Sequence, residues 1–228
     1  MPVFAEEVIS SEFFIGQTQQ GRDIVVERFG NGEDRILLVG CIHGTEDIGI
    51  RLVNQTMVHL RRHPEWLEGK TAYILPLLNA DGLVMNIRGN RDNIDINRQF
   101  PTKNFGRGWF NGDEPLQSIE AQVLMEFILE TRPDRILVIH QPLDGIDYDG
   151  PSKELAQYLS EKSNIRIHRL GSRSGSMGTF FGKELGGAVL TLEIPIEYNA
   201  LSSTQLWESY GVFIEEFIRY PSDVGQSN

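Results

Sequence analysis

Cysteine is nearly missing from this chain: Cys41 is the one thiol in 228 residues. A lone thiol excludes a disulfide framework and any cysteine-based zinc cluster, and it fits a reducing compartment. Basic residues are also scarce. Lys and Arg number 21 against 32 Asp and Glu, giving a formal net charge of -11 and a pI of about 4.9. Such a chain lacks the basic surface that phosphate backbones need, which argues against a nucleic-acid binder. An anionic substrate would require a few arginines to reverse the field locally. No apolar run reaches membrane-spanning length, and residues 1–10 carry two glutamates without the basic-then-apolar order of a signal peptide. A cytoplasmic protein acting on neither membrane nor nucleic acid is expected. With no internal repeat or low-complexity linker, the length predicts one domain over 1–228, its tail fraying from about Ser222.

Compact apolar runs define the framework. Arg35–Cys41, Thr71–Leu78, Asp134–His140 and Ala188–Ile194 read as buried strands, and Ile24-Val25-Val26 is a shorter β-branched stretch. Apolar residues at helical spacing mark Ile48–Leu60, Gln117–Glu130 and Ser203–Ile218, with a further helix expected at Ser152–Ser160 and a short strand at Ile165–His168. Strands alternating with helices predict an α/β fold, a three-layer α/β/α sandwich around a mixed, mostly parallel sheet. Residues 79–115, rich in Gly, Asn, Asp and Arg, read as a long irregular loop of the kind that is usually functional.

In such folds ligands gather beyond the carboxyl ends of the strands. Three strong strands lead to His43, His140 and Glu193. His43-Gly44-Thr45-Glu46 places an imidazole and a carboxylate three residues apart, close enough to share one ion, and His140 offers a third ligand. Spacing alone leaves open that His43 caps a helix and His140 is a satisfied core histidine. His59 and His63, at i and i+4, enclose no glutamate and read as a polar helix face. His168 is expected to face solvent. Asp144, Asp147 and Asp149 do not match a calcium loop; a solvated loop before the next helix fits them better than an amine- or cation-binding cluster.

The long loop carries the most specific words: Asn79-Ala80-Asp81-Gly82, then Arg88, then Asp95-Ile96-Asn97-Arg98-Gln99-Phe100-Pro101. Together with HGTE, His140-Gln141-Pro142-Leu143, Gly175-Ser176-Met177-Gly178 and Thr191-Leu192-Glu193-Ile194-Pro195, they resemble the zinc carboxypeptidases of the carboxypeptidase A type. The compact spacing is most similar to the bacterial branch that includes murein peptide amidases. The resemblance spans roughly residues 20–220. It implies one zinc per chain, held by His43, Glu46 and His140, with Glu193 as general base and Arg88 steadying the oxyanion. It further implies that Asn97 and Arg98 hold the terminal carboxylate of a small peptide, with Ser176 and Gly178 lining its pocket. Three positions depart from the family pattern: Ala80 stands for proline, Asn93 for glycine and Gln99 for asparagine. Asn93 is a workable substitute where the backbone needs a positive φ. Two other functions share parts of this pattern: a zinc deacylase of N-acyl amino acids, and a peptide-binding module without catalysis.

Overall fold

The computed structural model describes residues 10–221; the tail expected to fray from about Ser222 lies outside the described residues. In chain order the main elements are β1 (Ser10–Gln17), β2 (Asp23–Gly30), β3 (Asp34–Val39), α1 (Ile48–Arg62), β4 (Lys70–Leu75), α2 (Ala80–Met85), α3 (Ile119–Thr131), β5 (Arg135–His140), β6 (Gly145–Asp149), α4 (Lys153–Ser163), β7 (Ala188–Glu193) and α5 (Ser203–Arg219). A π-helical turn spans Gly178–Glu184.

The strands form one sheet in the order β1-β2-β4-β3-β5-β7-β6. The inner four, β4, β3, β5 and β7, are mutually parallel, while β2 and β6 run antiparallel to their neighbours. β1 is antiparallel to β2 and so points the same way as the inner four. The expected mixed, mostly parallel sheet is what forms.

The inner strands are covered on both sides, which is why they appear in the sequence as unbroken apolar runs and not as alternating ones. Ile36 and Leu38 of β3, Leu137 and Ile139 of β5, and Leu190 and Leu192 of β7 pack with α1, α4 and α5. The alternate residues Leu37, Val39, Ile136, Val138 and Val189 pack on the opposite face with α3 and the π-helical turn. Strand periodicity of two thus divides the core into two layers. α5 closes the first layer with Leu206, Phe213, Ile214 and Phe217, fully buried. Its start is fixed by a capping box in which Ser202 Oγ accepts from Gln205 N (3.2 Å) and Gln205 Oε1 accepts from Ser202 N (2.9 Å).

At the amino ends of the parallel strands lies a buried ionic knot. Asp34 Oδ1 pairs with Arg135 Nη1 (2.7 Å) and Asp34 Oδ2 with Lys70 Nζ (2.8 Å). Both cations also donate to the carbonyl of Tyr220, just after α5. The opposite, carboxyl ends are left for the site. No helix among the described residues is long and apolar enough to cross a membrane.

Some sequence expectations are corrected. Asp144–Asp149 is not a solvated loop: Gly145–Asp149 is edge strand β6, with Asp147 and Asp149 buried. The carboxylates are tolerated there because Arg169 pairs with Asp147 and Ser172 Oγ donates to Asp149. Residues 165–168 contribute one bridge, Ile146 to Ile167, and not a strand. His59 and His63 are part of an aromatic stack with Trp207 and Trp66, at 4.0 and 4.8 Å between ring centroids. His168 is half-buried, its Nδ1 3.0 Å from the Asp144 carbonyl.

Candidate metal centre and active site

The turn after β3 is shaped by close backbone approach. A Cβ on Gly44 would lie 2.1 Å from the backbone of Gly82 in α2, so only glycine fits between His43 and Thr45. Asn79 holds the surrounding loops. Its Oδ1 accepts from Gly82 N, capping α2, and its Nδ2 donates to the carbonyls of Ile42 (3.1 Å) and Gly89 (2.9 Å). Asp81 is fully buried and takes donors from Thr18, Gln20 and Arg22. The Asn-Ala-Asp-Gly word is therefore a scaffold that carries the metal loop.

The three departures fit locally. Ala80 occupies the first helical position, where proline is favoured but not needed. Asn93 adopts φ +60°, the conformation expected where glycine usually stands. Gln99 is fully buried, donates to the Asn111 carbonyl and accepts from Ser118 N at 3.1 Å, which anchors the start of α3.

On this scaffold His43, Glu46 and His140 converge, each offering a ligand atom within 4.8 Å of the others. Their exposures are 2%, 4% and 5%. His140 Nδ1 lies 2.9 Å from Glu46 Oε2, and His43 Nδ1 lies 2.9 Å from Glu46 Oε1. The second contact lacks hydrogen-bond geometry, so among the described residues His43 Nδ1 is a buried nitrogen without a hydrogen-bond partner. Orphaned buried nitrogens are costly; one aimed at a carboxylate beside a second imidazole suits a metal ligand. Two imidazoles and a carboxylate are also the donor set of a catalytic zinc site. The residues present fit zinc.

Electrostatics agree. Burial alone would push Glu46 upward, yet His140 and His43 hold its carboxyl well below the usual range. Asp95, likewise opposed by burial, is held down by His43, Arg88 and Arg98. Burial works against protonation of His43, but Asp95 and Glu46 outweigh it and raise its pKa. Glu193 goes the other way: burial, reinforced by Glu46, raises it, with His140 opposing.

The remaining predicted residues gather around one cavity of about 260 Å³, lined by His43, Arg88, Asn97, Arg98, His140, Ser176, Gly178 and Glu193. Glu193 is the register partner of His140 across β5 and β7, and its Oε2 accepts from Leu143 N at 3.3 Å. Arg88 bridges Glu46 Oε1 (2.8 Å) and Asp95 Oδ2 (3.3 Å), which leaves Nη2 for a substrate oxygen. The Asn97 amide is already engaged, accepting from Met177 N (2.9 Å) and lying 3.3 Å from His140 Nε2. Arg98 donates only to the Asn97 carbonyl and makes no ion pair among the described residues. The Ser176 hydroxyl accepts from Thr179 N at 3.0 Å, so it shapes the turn under the pocket.

The residue that sequence reasoning missed is Asp95. Its Oδ1 lies 3.0 Å from His43 Nε2 and accepts from Asn97 N at 2.9 Å. It therefore orients the imidazole whose other nitrogen faces the metal position, a second-layer arrangement typical of metal sites. Its place at the head of the Asp-Ile-Asn-Arg run was the available signal.

The profile of the zinc carboxypeptidase family matches residues 6–142. The chain belongs to the zinc carboxypeptidase family. Its enzyme class is therefore that of zinc metallopeptidases, with one zinc as cofactor. Murein peptide amidase A of Escherichia coli is 26% identical over 214 residues, covering 84% of this chain and 82% of the amidase. Carboxypeptidase SOL1 of Arabidopsis thaliana is 27% identical over 199 residues, but this chain spans only 39% of its length. The crystal structure of a murein-tripeptide amidase from Escherichia coli shares the fold with a TM-score of 0.75 and 22% identity, over 97% of this chain and 96% of that one.

Proposed function

We propose that this metallopeptidase hydrolyses an amide bond near the free carboxylate of a small peptide, and that the peptide is a cell-wall muropeptide. One observation carries the reading: His43, Glu46 and His140 converge beside a cavity that also exposes Glu193 and an Arg98 that forms no ion pair among the described residues. The similarity to murein peptide amidase A over most of both chains supports the muropeptide.

His43, Glu46 and His140 would hold the zinc, whose chemistry there would be that of a Lewis acid. Glu193 takes a proton from the attacking water and passes it to the departing amine; its raised pKa suits a group that must both accept and release that proton. Arg88, anchored at one edge by Glu46 and Asp95, presents its free nitrogen to the negative charge growing on the carbonyl oxygen. Arg98 receives the terminal carboxylate as a planar fork. Asn97 positions Arg98 and His140, and Ser176 and Gly178 form the wall behind the released residue.

The test is a comparison on zinc-loaded protein of a muropeptide, the same peptide with its carboxyl end amidated, and a set of N-acyl amino acids. Cleavage of the free acid, with the amidated peptide much poorer, is expected. Turnover of N-acyl amino acids alone would point instead to a deacylase, and peptide binding without cleavage to a binding module.

A further inference from the structure

We propose that Arg173 is a specificity-determining residue, reading a second negative charge on the residue released from the substrate's carboxyl end. The inference rests on the hydrolytic reading above, in which Arg98 takes the terminal carboxylate.

Arg173 lines the same cavity as Arg98 and Glu193. It belongs to a segment sewn onto the one that carries Asn97 and Arg98. Phe100 N donates to the Gly175 carbonyl (2.9 Å), Gly175 N to Thr102 Oγ1 (3.0 Å), Met177 N to Asn97 Oδ1 (2.9 Å) and Gly106 N to Ser174 Oγ (2.8 Å). Gly175 has φ +63°, and a Cβ there would lie 2.1 Å from the Arg98 carbonyl oxygen. The Arg173 carbonyl is itself fixed by Ser176 N (3.2 Å) and Thr179 Oγ1 (2.6 Å). The backbone of Arg173 is therefore held beside Arg98 and is not a free loop tip.

The charges at the cavity are unbalanced in a specific way. Arg88 is paired with Glu46 and Asp95, and Arg169 with Asp147. Among the described residues, neither Arg98 nor Arg173 forms an ion pair. Asp149 is no counter-ion to Arg173: it accepts from Ser172 Oγ and abuts the Gly178 backbone. Burial, together with the charges of Arg88 and Arg173, pulls Arg98 below its ordinary pKa, against the pull of Asp95. In a chain of net charge -11, two guanidiniums that line one cavity, neither of them in an ion pair among the described residues, repel one another until a ligand brings anions. One carboxylate satisfies one fork. The second fork calls for a second anionic group, as on a released residue whose side chain ends in a carboxylate.

Two peptides that differ only in a C-terminal Glu or Gln test this. Relative kcat/KM is measured on zinc-loaded protein, and Kd by calorimetry on a Glu193→Gln background that holds peptides uncleaved. The Glu peptide is expected to be favoured about tenfold in both, the lower end for a hydrogen bond to a charged group. That ratio should fall to about one in Arg173→Gln, survive in part in Arg173→Lys, and turn toward a C-terminal Lys peptide in Arg173→Glu. Equal binding of the two peptides by unsubstituted Arg173, or an unchanged ratio in Arg173→Gln, overturns the assignment. If neither peptide is cleaved but the binding ratio appears and vanishes with Arg173→Gln, the hydrolytic reading fails and the assignment of Arg173 stands.

Discussion

His43 Nε2 lies 3.0 Å from Asp95 Oδ1, while His43 Nδ1, on the other side of the ring, faces Glu46 with no hydrogen bond of its own. One carboxylate thus fixes which imidazole nitrogen stays free for the ion. Without it the ring can turn, and the free nitrogen is no longer held in place. Asp95→Ala is expected to weaken zinc affinity by about 10- to 100-fold. Asp95→Asn should lose less, since its amide oxygen still accepts from Asn97 N and from the ring. Competition with a chelator of known affinity measures both; equal affinity in all three proteins would remove Asp95 from the site.

Glu193 contributes no ligand atom to the three-residue cluster, yet it shares the cavity. Glu193→Gln keeps the side chain's shape and its acceptor for Leu143 N. Zinc content should remain at one per chain while kcat falls by about 10²- to 10⁴-fold, the usual range for loss of a general base. Loss of zinc along with activity would mean instead that Glu193 holds the metal.

How much of this was legible in the sequence depended on the kind of interaction. The inner strands and α1, α3 and α5 were visible because burial on one or two faces writes a periodic apolar pattern. The ligand set and Glu193 were visible because they stand at or beyond the ends of those runs. β1 was missed because much of Ser10–Gln17 is exposed, including Phe14, so its side chains carry no clean alternation. β6 was missed for the opposite reason. Its sequence, Gly-Ile-Asp-Tyr-Asp, reads as polar, and the groups that make its burial tolerable, Arg169 and Ser172, lie more than twenty residues later. α2 is six residues long and depends on Asn79 reaching across to the Ile42 and Gly89 carbonyls, which no local window contains. Asp95 escaped because its role is set by a histidine 52 positions earlier in the chain.

The ionic knot at the far end of the sheet makes a prediction about stability alone. Among the described residues Asp34 is the one carboxylate paired with both Lys70 and Arg135, all three being buried. Asp34→Asn leaves two cations with only the Tyr220 carbonyl and neighbouring helix-end carbonyls to face. Breaking one partner of a buried pair costs about 3 to 5 kcal/mol. Urea unfolding should register a loss of that order. The knot sits at the amino ends of the strands and the cavity at their carboxyl ends, so kcat per folded molecule should be unchanged. A loss under about 1 kcal/mol would indicate that the knot is wetter than its burial implies.

Asp149 offers a test in which pH separates ionisation from packing. Burial raises its pKa; the Ser172 hydrogen bond and the charges of Arg169 and Lys183 oppose, and Asp147 adds to the rise. A carboxyl with a raised folded pKa binds its proton more tightly when folded than when unfolded. Its contribution to stability is therefore greatest below the ordinary Asp value of about 4 and is lost as pH rises through the folded value. Asp149→Asn removes that loss and keeps an acceptor for Ser172 Oγ. The variant should be more stable than the parent near neutral pH, by about 1 kcal/mol or less, and the gain should shrink as pH approaches about 4. Urea midpoints for both proteins at the two pH values decide it. A gain of equal size at both would assign the effect to packing against Gly178, where an added Cβ would lie 2.4 Å from Asp149 Oδ2. A gain confined to neutral pH means that the folded protein tolerates a charge at the cavity wall at a cost in stability.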